Sequence, residues 1–253
     1  MAALVDRPLL MLVVSFAALL GAAMLGVAAE RLWNPVKAGD HNELSIVQSA
    51  ALTLLGLIIG FSFAMAISRY DQRKGLEEAE ANAIGTAYLR ATLMPDNPAA
   101  ATQNALKGYL DQRIRFYLTA DQGKLVEIET ERTRTLADLW GSARALAATQ
   151  PTPVSALVAS GLNDVFNSTD ATVAAWLDRI PIPAWWLMVM VGFGANLTLG
   201  FGAKRYSSPL LLVVPITASV SFFLIADIDS PRGGVVQVPP LNLDRLAKSM
   251  NAP

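Results

Sequence analysis

An all-α integral membrane protein, with four transmembrane helices and a cytoplasmic helical bundle inserted between the second and third, is the fold class this sequence predicts. Three observations predict it. Four uncharged runs of membrane-spanning length stand in a chain that is 53% hydrophobic and only 16% charged, whereas a soluble domain carries about a quarter of its residues as charges. Between the second and third runs, residues 69–181 hold most of the charges and repeat apolar residues at helical spacing. The strand-type alternation of β-branched residues is absent throughout.

The first run, Leu9 to Ala29, is 21 residues without a charge. A secretory signal peptide competes here, because Gly26 and Ala28 offer a small-x-small cleavage pattern. The run exceeds the usual core of about 7–15 residues, which favours a retained helix. Glu30 to Leu44 reads as a polar loop holding Pro35 and Gly39, with Asp40 or Asn42 as the cap of the next helix. The second run, Ile46 to Ser68, has 23 uncharged positions, and good helix formers continue through Arg69 to Met94 without a proline until Pro95. One helix over such a stretch would extend roughly 75 Å, against about 30 Å for a bilayer core, so it is expected to cross the membrane and project into water.

Pro95 to Pro98 breaks that helix. Leu106, Leu110, Ile114 and Tyr117 mark one face of the next, and Asp121 to Gly123 a turn. Leu125, Ile128, Leu136, Leu139 and Ala143 mark another, closed by Pro151 and Pro153. Leu157, Leu162, Val165, Phe166, Val173, Trp176 and Leu177 mark the last helix of an antiparallel bundle. The third run, Ile182 to Ala203, carries Trp185 and Trp186 at one end, where aromatic belts sit. Lys204 and Arg205 form a short hairpin to the fourth run, Tyr206 to Ala226, in which Pro215 predicts a kink. Leu241 to Met250 ends the chain as a short amphipathic stretch. The expected organisation is a membrane hairpin over 1–68 (spans about 9–29 and 46–68), a bundle over 69–181, a second hairpin over 182–226 (spans about 182–203 and 206–226) and a tail over 227–253.

Four spans put both termini and the bundle on one side. That side holds Arg7, Arg69, Arg73, Lys74, Arg179, Arg232, Arg245 and Lys248, against Arg31, Lys37, Lys204 and Arg205 opposite. The excess of cations places the termini and bundle in the cytoplasm.

The residue inventory excludes several chemistries. With no cysteine there are no disulfides, thiolate nucleophiles or Cys-ligated metals, and the lone histidine, His41, stands in the first loop, so no multi-histidine centre or His-based triad can be assembled. No enzyme, cofactor or metal is expected, and no basic tract points to nucleic acid. Glu77, Glu78 and Glu80 read as a solvated helix face paired with Arg73 and Lys74, a charged ring at a pore mouth being the alternative. Asp227 and Asp229 read as turn-forming or paired with Arg69, Arg73 or Arg232, with cation binding as the alternative. Gly192, Gly194, Gly200 and Gly202 suit close helix contact. Asn196 and Thr198 add polar groups at membrane depth, for packing or for lining a permeation path.

Two segments make the chain resemble a bacterial branch of the bestrophin-like membrane proteins. Gly60-Phe61 precedes Arg69-Tyr70 at the distance that separates a Gly-Phe pair from an Arg-aromatic pair on the pore-lining helix of bestrophins. Ser230-Pro231-Arg232-Gly233, after the fourth span, is similar to their Asn-Pro-Phe-Gly. Glu80 to Gly85, Tyr88 and the tail from Asp227 to Gly234 look like the uncharacterised bacterial branch in particular. The resemblance implies a homopentamer in the bacterial inner membrane whose second spans surround an ion path with a hydrophobic neck. The matching neck positions are Thr53, Leu57 and Phe61, with Gly60 allowing close packing behind them. Positions i, i+4 and i+8 stay near one helix face, and rings of apolar side chains can gate by dewetting. Continuing that face brings Ser68, Gln72, Ala79, Asn82 and Thr86 to the same side, a neutral polar stripe suited to a wet vestibule. There are two departures from the pattern. Thr53 replaces an apolar neck residue, and Gly234, Val235, Val236 and Gln237 stand where calcium-regulated bestrophins carry acids, which argues against a calcium clasp.

The expected function is therefore an oligomeric ion channel whose partners are the lipid bilayer, permeating ions and copies of itself. The rival reading is a non-conducting, membrane-anchored helical scaffold or sensor that binds a cytoplasmic partner through residues 69–180.

Overall fold

A computed structural model describes residues 2–33, 40–203 and 209–251, and every regular element among them is an α-helix. The helices are α1 (Ala2–Val5), α2 (Pro8–Trp33), α3 (Asp40–Ala91), α4 (Asp96–Leu118), α5 (Gln122–Thr149), α6 (Pro153–Leu177), α7 (Ile182–Phe201), α8 (Leu210–Asp229) and α9 (Leu241–Met250). Four helical stretches, in α2, α3, α7 and α8, are long and apolar enough to cross a membrane. The loop after α2 is shorter than the sequence suggests, because α2 runs to Trp33 and α3 already begins at Asp40. His41 accordingly stands in the first turn of a helix rather than in a loop. Lys37, Lys204, Arg205 and the start of the fourth run at Tyr206 lie outside the described residues, as do the side chains of Asp40 and Asn42 on which the expected cap rests.

The chain divides into two compact units, residues 1–70 with 179–237 and residues 71–178 with 238–253. In the first, α2 packs against α7 and α8. Met11 and Leu19 of α2, Leu55 and Ala66 of α3, Trp185 and Met188 of α7, and Phe222 and Ile225 of α8 share one apolar core. Glycine sets the spacing of α2 and α7. A methyl group added to Gly26 would overlap the Leu197 carbonyl, and one added to Gly200 would overlap that of Ala23. The two backbones touch at these points, as small residues permit between apolar helices. Gly192 lies against Leu19, Leu55 and Phe222, and Gly202 against Gln48 and Leu44, whereas no described atom comes within 4 Å of a methyl built on Gly194.

In the second unit, α4 packs on α5 and on α9, and α5 on α6. Short breaks at 92–95, 119–121 and 150–152 separate its helices. Asp121 caps α5 by accepting from the Gly123 and Lys124 amides. Thr152 and Ser155 close a capping box at α6, each satisfying a backbone donor that the first turn leaves open. The buried face of α4 includes Leu106, Leu110 and Tyr117, that of α5 Ile128, Leu139 and Ala143, and that of α6 Val158, Leu162, Val165 and Trp176. Leu157 and Leu177 stay outside this core at 40% and 77% exposure. The buried face of α6 instead follows Ser155, Val158, Leu162, Val165, Thr169 and Thr172, so three hydroxyl residues occupy positions that the apolar pattern does not mark.

Gly26→Ala and Gly200→Ala should each cost about 1–3 kcal/mol, because the added methyl meets backbone that cannot rotate away. The check is the thermal midpoint of the detergent-purified protein, which should fall for both and stay unchanged for Gly194→Ala.

Candidate functional site

The side chains of α3 sort into two faces. Leu55, Ser62, Ala66, Arg73, Glu77, Glu80, Ile84, Ala87 and Ala91 are buried and recur at intervals of three, four and seven, so they form one stripe against the rest of the chain. The residues singled out for a pore fall outside that stripe. Leu57 is 53% exposed and Phe61 64%, and Thr53 is exposed, with its hydroxyl folded back to donate to the Ser49 carbonyl at 2.8 Å. No described atom lies within 4 Å of a methyl built on Gly60. In the part of α3 nearer its end, Ser68, Gln72, Ala79, Asn82 and Thr86 are likewise exposed. One chain by itself thus leaves both the apolar and the polar segments of this face uncovered.

The acidic cluster overturns the expectation of a solvated face. Only Glu78 is exposed; Glu77 is 1% exposed and Glu80 0%. Glu77 accepts from the Asn242 amide at 2.8 Å, the Leu243 amide at 3.0 Å and the Asn242 side chain at 2.6 Å. It caps α9, whose own N-cap residue, Pro240, supplies no side-chain acceptor. Glu80 takes Arg113 as its partner through the Nε and Nη2 donors of one guanidinium edge and also accepts from Tyr117, Thr169 and Thr172. Arg73, buried as well, donates to the Ala175 and Asp178 carbonyls at 3.1 Å each.

Electrostatics follow from this burial. Desolvation works against the Arg113 charge, but Glu80 outweighs it and holds the guanidinium more firmly protonated than usual. Burial, with a smaller push from Glu80, raises both nearby phenols. That of Tyr109, bonded to Thr169 at 2.5 Å, is pushed up to about 12, and that of Tyr117 is raised further. The sequence carried a signal for this network. Glu77 and Glu80 sit at core spacing from Ala81, Ile84 and Ala87 on the same helix, which marks them as buried before any partner is known.

Asp227 and Asp229 stand in the last turn of α8, and the chain turns tightly over 231–236 just beyond it. Asp227, 3% exposed, accepts from the Val235 and Val236 amides at 2.7 and 2.9 Å, so its carboxylate shapes the chain. Methyls on Gly233 and Gly234 would overlap the Asp6 and Asp227 carbonyls. That explains two successive glycines behind the buried Pro231 and half-buried Arg232. Asp229 accepts from the Ile180 amide at 3.1 Å and lies 4.0 Å from Arg179, which also donates to Asp6 at 2.6 Å. At membrane depth, Asn196 donates to the Gly192 carbonyl and Thr198 to that of Ala195, so both serve their own helix. Among the described residues no three His, Asp or Glu side chains converge as metal ligands.

Comparison with known proteins places this geometry. The model of the bestrophin-like domain matches residues 16–243. Crystal structures of a bacterial bestrophin homolog from Klebsiella pneumoniae, each with one substitution, superpose with TM-scores of 0.64 and 0.63. The first covers 94% of this chain and 97% of that one at 12% identity, the second 96% and 97% at 13%. A third, of the same homolog, gives 0.62 over 94% and 93% at 12%. No curated protein matches the chain.

Arg113→Leu strands a buried carboxylate and should cost about 3–5 kcal/mol, whereas the double change Glu80→Leu with Arg113→Leu should recover much of it. Thermal denaturation of the three proteins distinguishes these outcomes. The raised phenols predict alkaline sensitivity. The folded state holds their protons where the unfolded chain releases them, so stability is intact below about pH 10 and falls as pH rises towards 12. Titration of tyrosine absorbance should show Tyr109 and Tyr117 ionising last, with Tyr109→Phe reducing the loss.

Proposed function

The chain belongs to the bestrophin-like family, and from that premise we propose that it is an oligomeric ion channel of the bacterial inner membrane, with Thr53, Leu57 and Phe61 as its neck. The observation that carries this reading is the exposed face of α3. A leucine and a phenylalanine one turn apart stand more than half exposed on a helix whose opposite face is fully used in packing. Repeated around an axis by copies of the chain, that face makes successive rings of apolar groups, a barrier to ions that depends on whether water fills it. Gly60, open within its own chain, gives a neighbouring subunit room to approach.

Ser68, Gln72, Asn82 and Thr86 continue the same helix with uncharged polar groups suited to a hydrated vestibule. The predominance of Arg and Lys on one side of the spans supports cytoplasmic termini, with residues 69–181 in the cytoplasm. Five subunits is the number that the family resemblance implies. The turn built by Asp227, Asp229, Pro231, Arg232 and Gly233 serves in this reading as an ordered end to the last span.

Native mass spectrometry of the detergent-purified protein tests the assembly and should give a pentamer. Leu57→Ala and Phe61→Ala, reconstituted in liposomes, should each change ion flux several-fold while leaving assembly intact. A monomer or dimer that persists across mild detergents, or flux indifferent to both substitutions, would overturn the channel and favour a scaffold.

A further inference from the structure

The helix that completes the second unit is too short to stand by itself. α9 has ten residues, and an isolated helix of fewer than about 12–15 is marginal in water. Of its residues only Leu243 and Met250 are buried, while Leu241, Arg245, Lys248 and Ser249 are exposed. Its N-cap position, Pro240, offers no side-chain acceptor, so the first-turn amides of Asn242 and Leu243 close on Glu77 of α3 instead. Docking is what makes α9 helical.

The dependence runs both ways. Glu77 is 1% exposed, and among the described residues its hydrogen-bond donors are the Asn242 and Leu243 amides and the Asn242 side chain, all of α9. A carboxylate buried in this way is stable only while those donors are present, so without α9 it must open to water. Further along α3 the Leu246 side chain fills the space over Gly85, where a methyl on the glycine would stand 3.1 Å from it. Cap, contact and helix depend on one another, so they are lost in a single step. Because α9 also packs on α4, it ties α3 to α4. On α3, Glu77 lies on the buried side, whereas Gln72, Asn82 and Thr86 are exposed.

We propose that α9 is a releasable strap that regulates the vestibule. Docked, it holds the stretch of α3 from Gln72 to Thr86 back against α4; released, it lets that stretch shift towards the vestibule and lowers ion flux. The effect on flux rests on the channel reading, and the release of α9 does not.

Hydrogen exchange of the detergent-purified full-length protein tests the release. The amides of α9 should exchange together, at least about tenfold faster than those around Leu106 and Leu110 in α4. Glu77→Gln should speed α9 further and leave α4 unchanged. So should Leu246→Ala, which alters only the strap and keeps the proposal testable if Glu77→Gln misfolds. The chain has no cysteine, so Gly85→Cys with Leu246→Cys provides a single oxidisable pair, whose oxidation should slow α9 to the rate of α4. In liposomes, Leu246→Ala and the reduced pair should each lower flux several-fold, and oxidation of the pair should restore it. Exchange in α9 no faster than in α4 of the unmodified protein would overturn the strap. Fast exchange in α9 with equal flux from the reduced and oxidised pair would overturn its control of the vestibule. No flux from the unmodified protein would overturn the channel and this regulation with it, while exchange still decides the release.

Discussion

A backbone N–H or C=O left open in hydrocarbon costs several kcal/mol, and the all-helical first unit answers to that constraint. Helices satisfy it because each donor finds its acceptor four residues back within the same segment. The side chains obey it as well. Thr53, Thr198, Thr217, Ser219 and Ser221 turn their hydroxyls onto carbonyls three or four residues earlier, and Asn196 does the same with its amide. With most polar demand met inside each helix, close contact does much of the work of holding one helix to another, beside the bond from the Gln48 side chain to the Thr198 carbonyl. Gly26 and Gly200 supply it by letting backbone meet backbone.

The second unit solves the opposite problem. Its helices carry the charges, and several of those charges are inside. A buried carboxylate is tolerable only when its lone pairs are filled, and Glu80 fills them from Arg113, Tyr117, Thr169 and Thr172, which come from α4 and α6. The network therefore specifies which helix faces meet with a selectivity that leucines alone would lack. Phe116, Tyr117 and Trp176 cluster edge to face beside it at centroid separations of 5.1–5.7 Å, and close its apolar flank.

Much of the architecture was legible because it rests on local rules. The four apolar runs and the breaks at Pro95 and Pro151 declare themselves over short distances, and the turn read at Asp121 to Gly123 is where Asp121 caps α5. The expectation of a solvated face at Glu77 and Glu80 fails for the complementary reason. Helical spacing offers nearby cations in Arg73 and Lys74, while the groups that bind these carboxylates come from much further along the chain. Pro35 and Gly39 put His41 in an expected loop, yet α3 already begins at Asp40. Hydrophobicity alone assigns Leu157 and Leu177 to the core, whereas the inner face of α6 includes Thr169 and Thr172, which serve Glu80. The neck positions rest on resemblance to a family, since helical periodicity does not distinguish a face that would meet another copy of a chain from one facing lipid.

The cap that Glu77 provides for α9 has a consequence for the order of assembly. The acceptor and the helix it caps are 165 residues apart, and the segment between them includes both α7 and α8. During synthesis residues 71–178 emerge first, then the last two apolar helices, and only afterwards the ten residues of α9. The second unit thus leaves the ribosome with Glu77 still lacking its donors and the Leu246 site beside Gly85 unfilled. It is completed only after α8 has been made, so closure of this unit follows the synthesis of both intervening apolar helices.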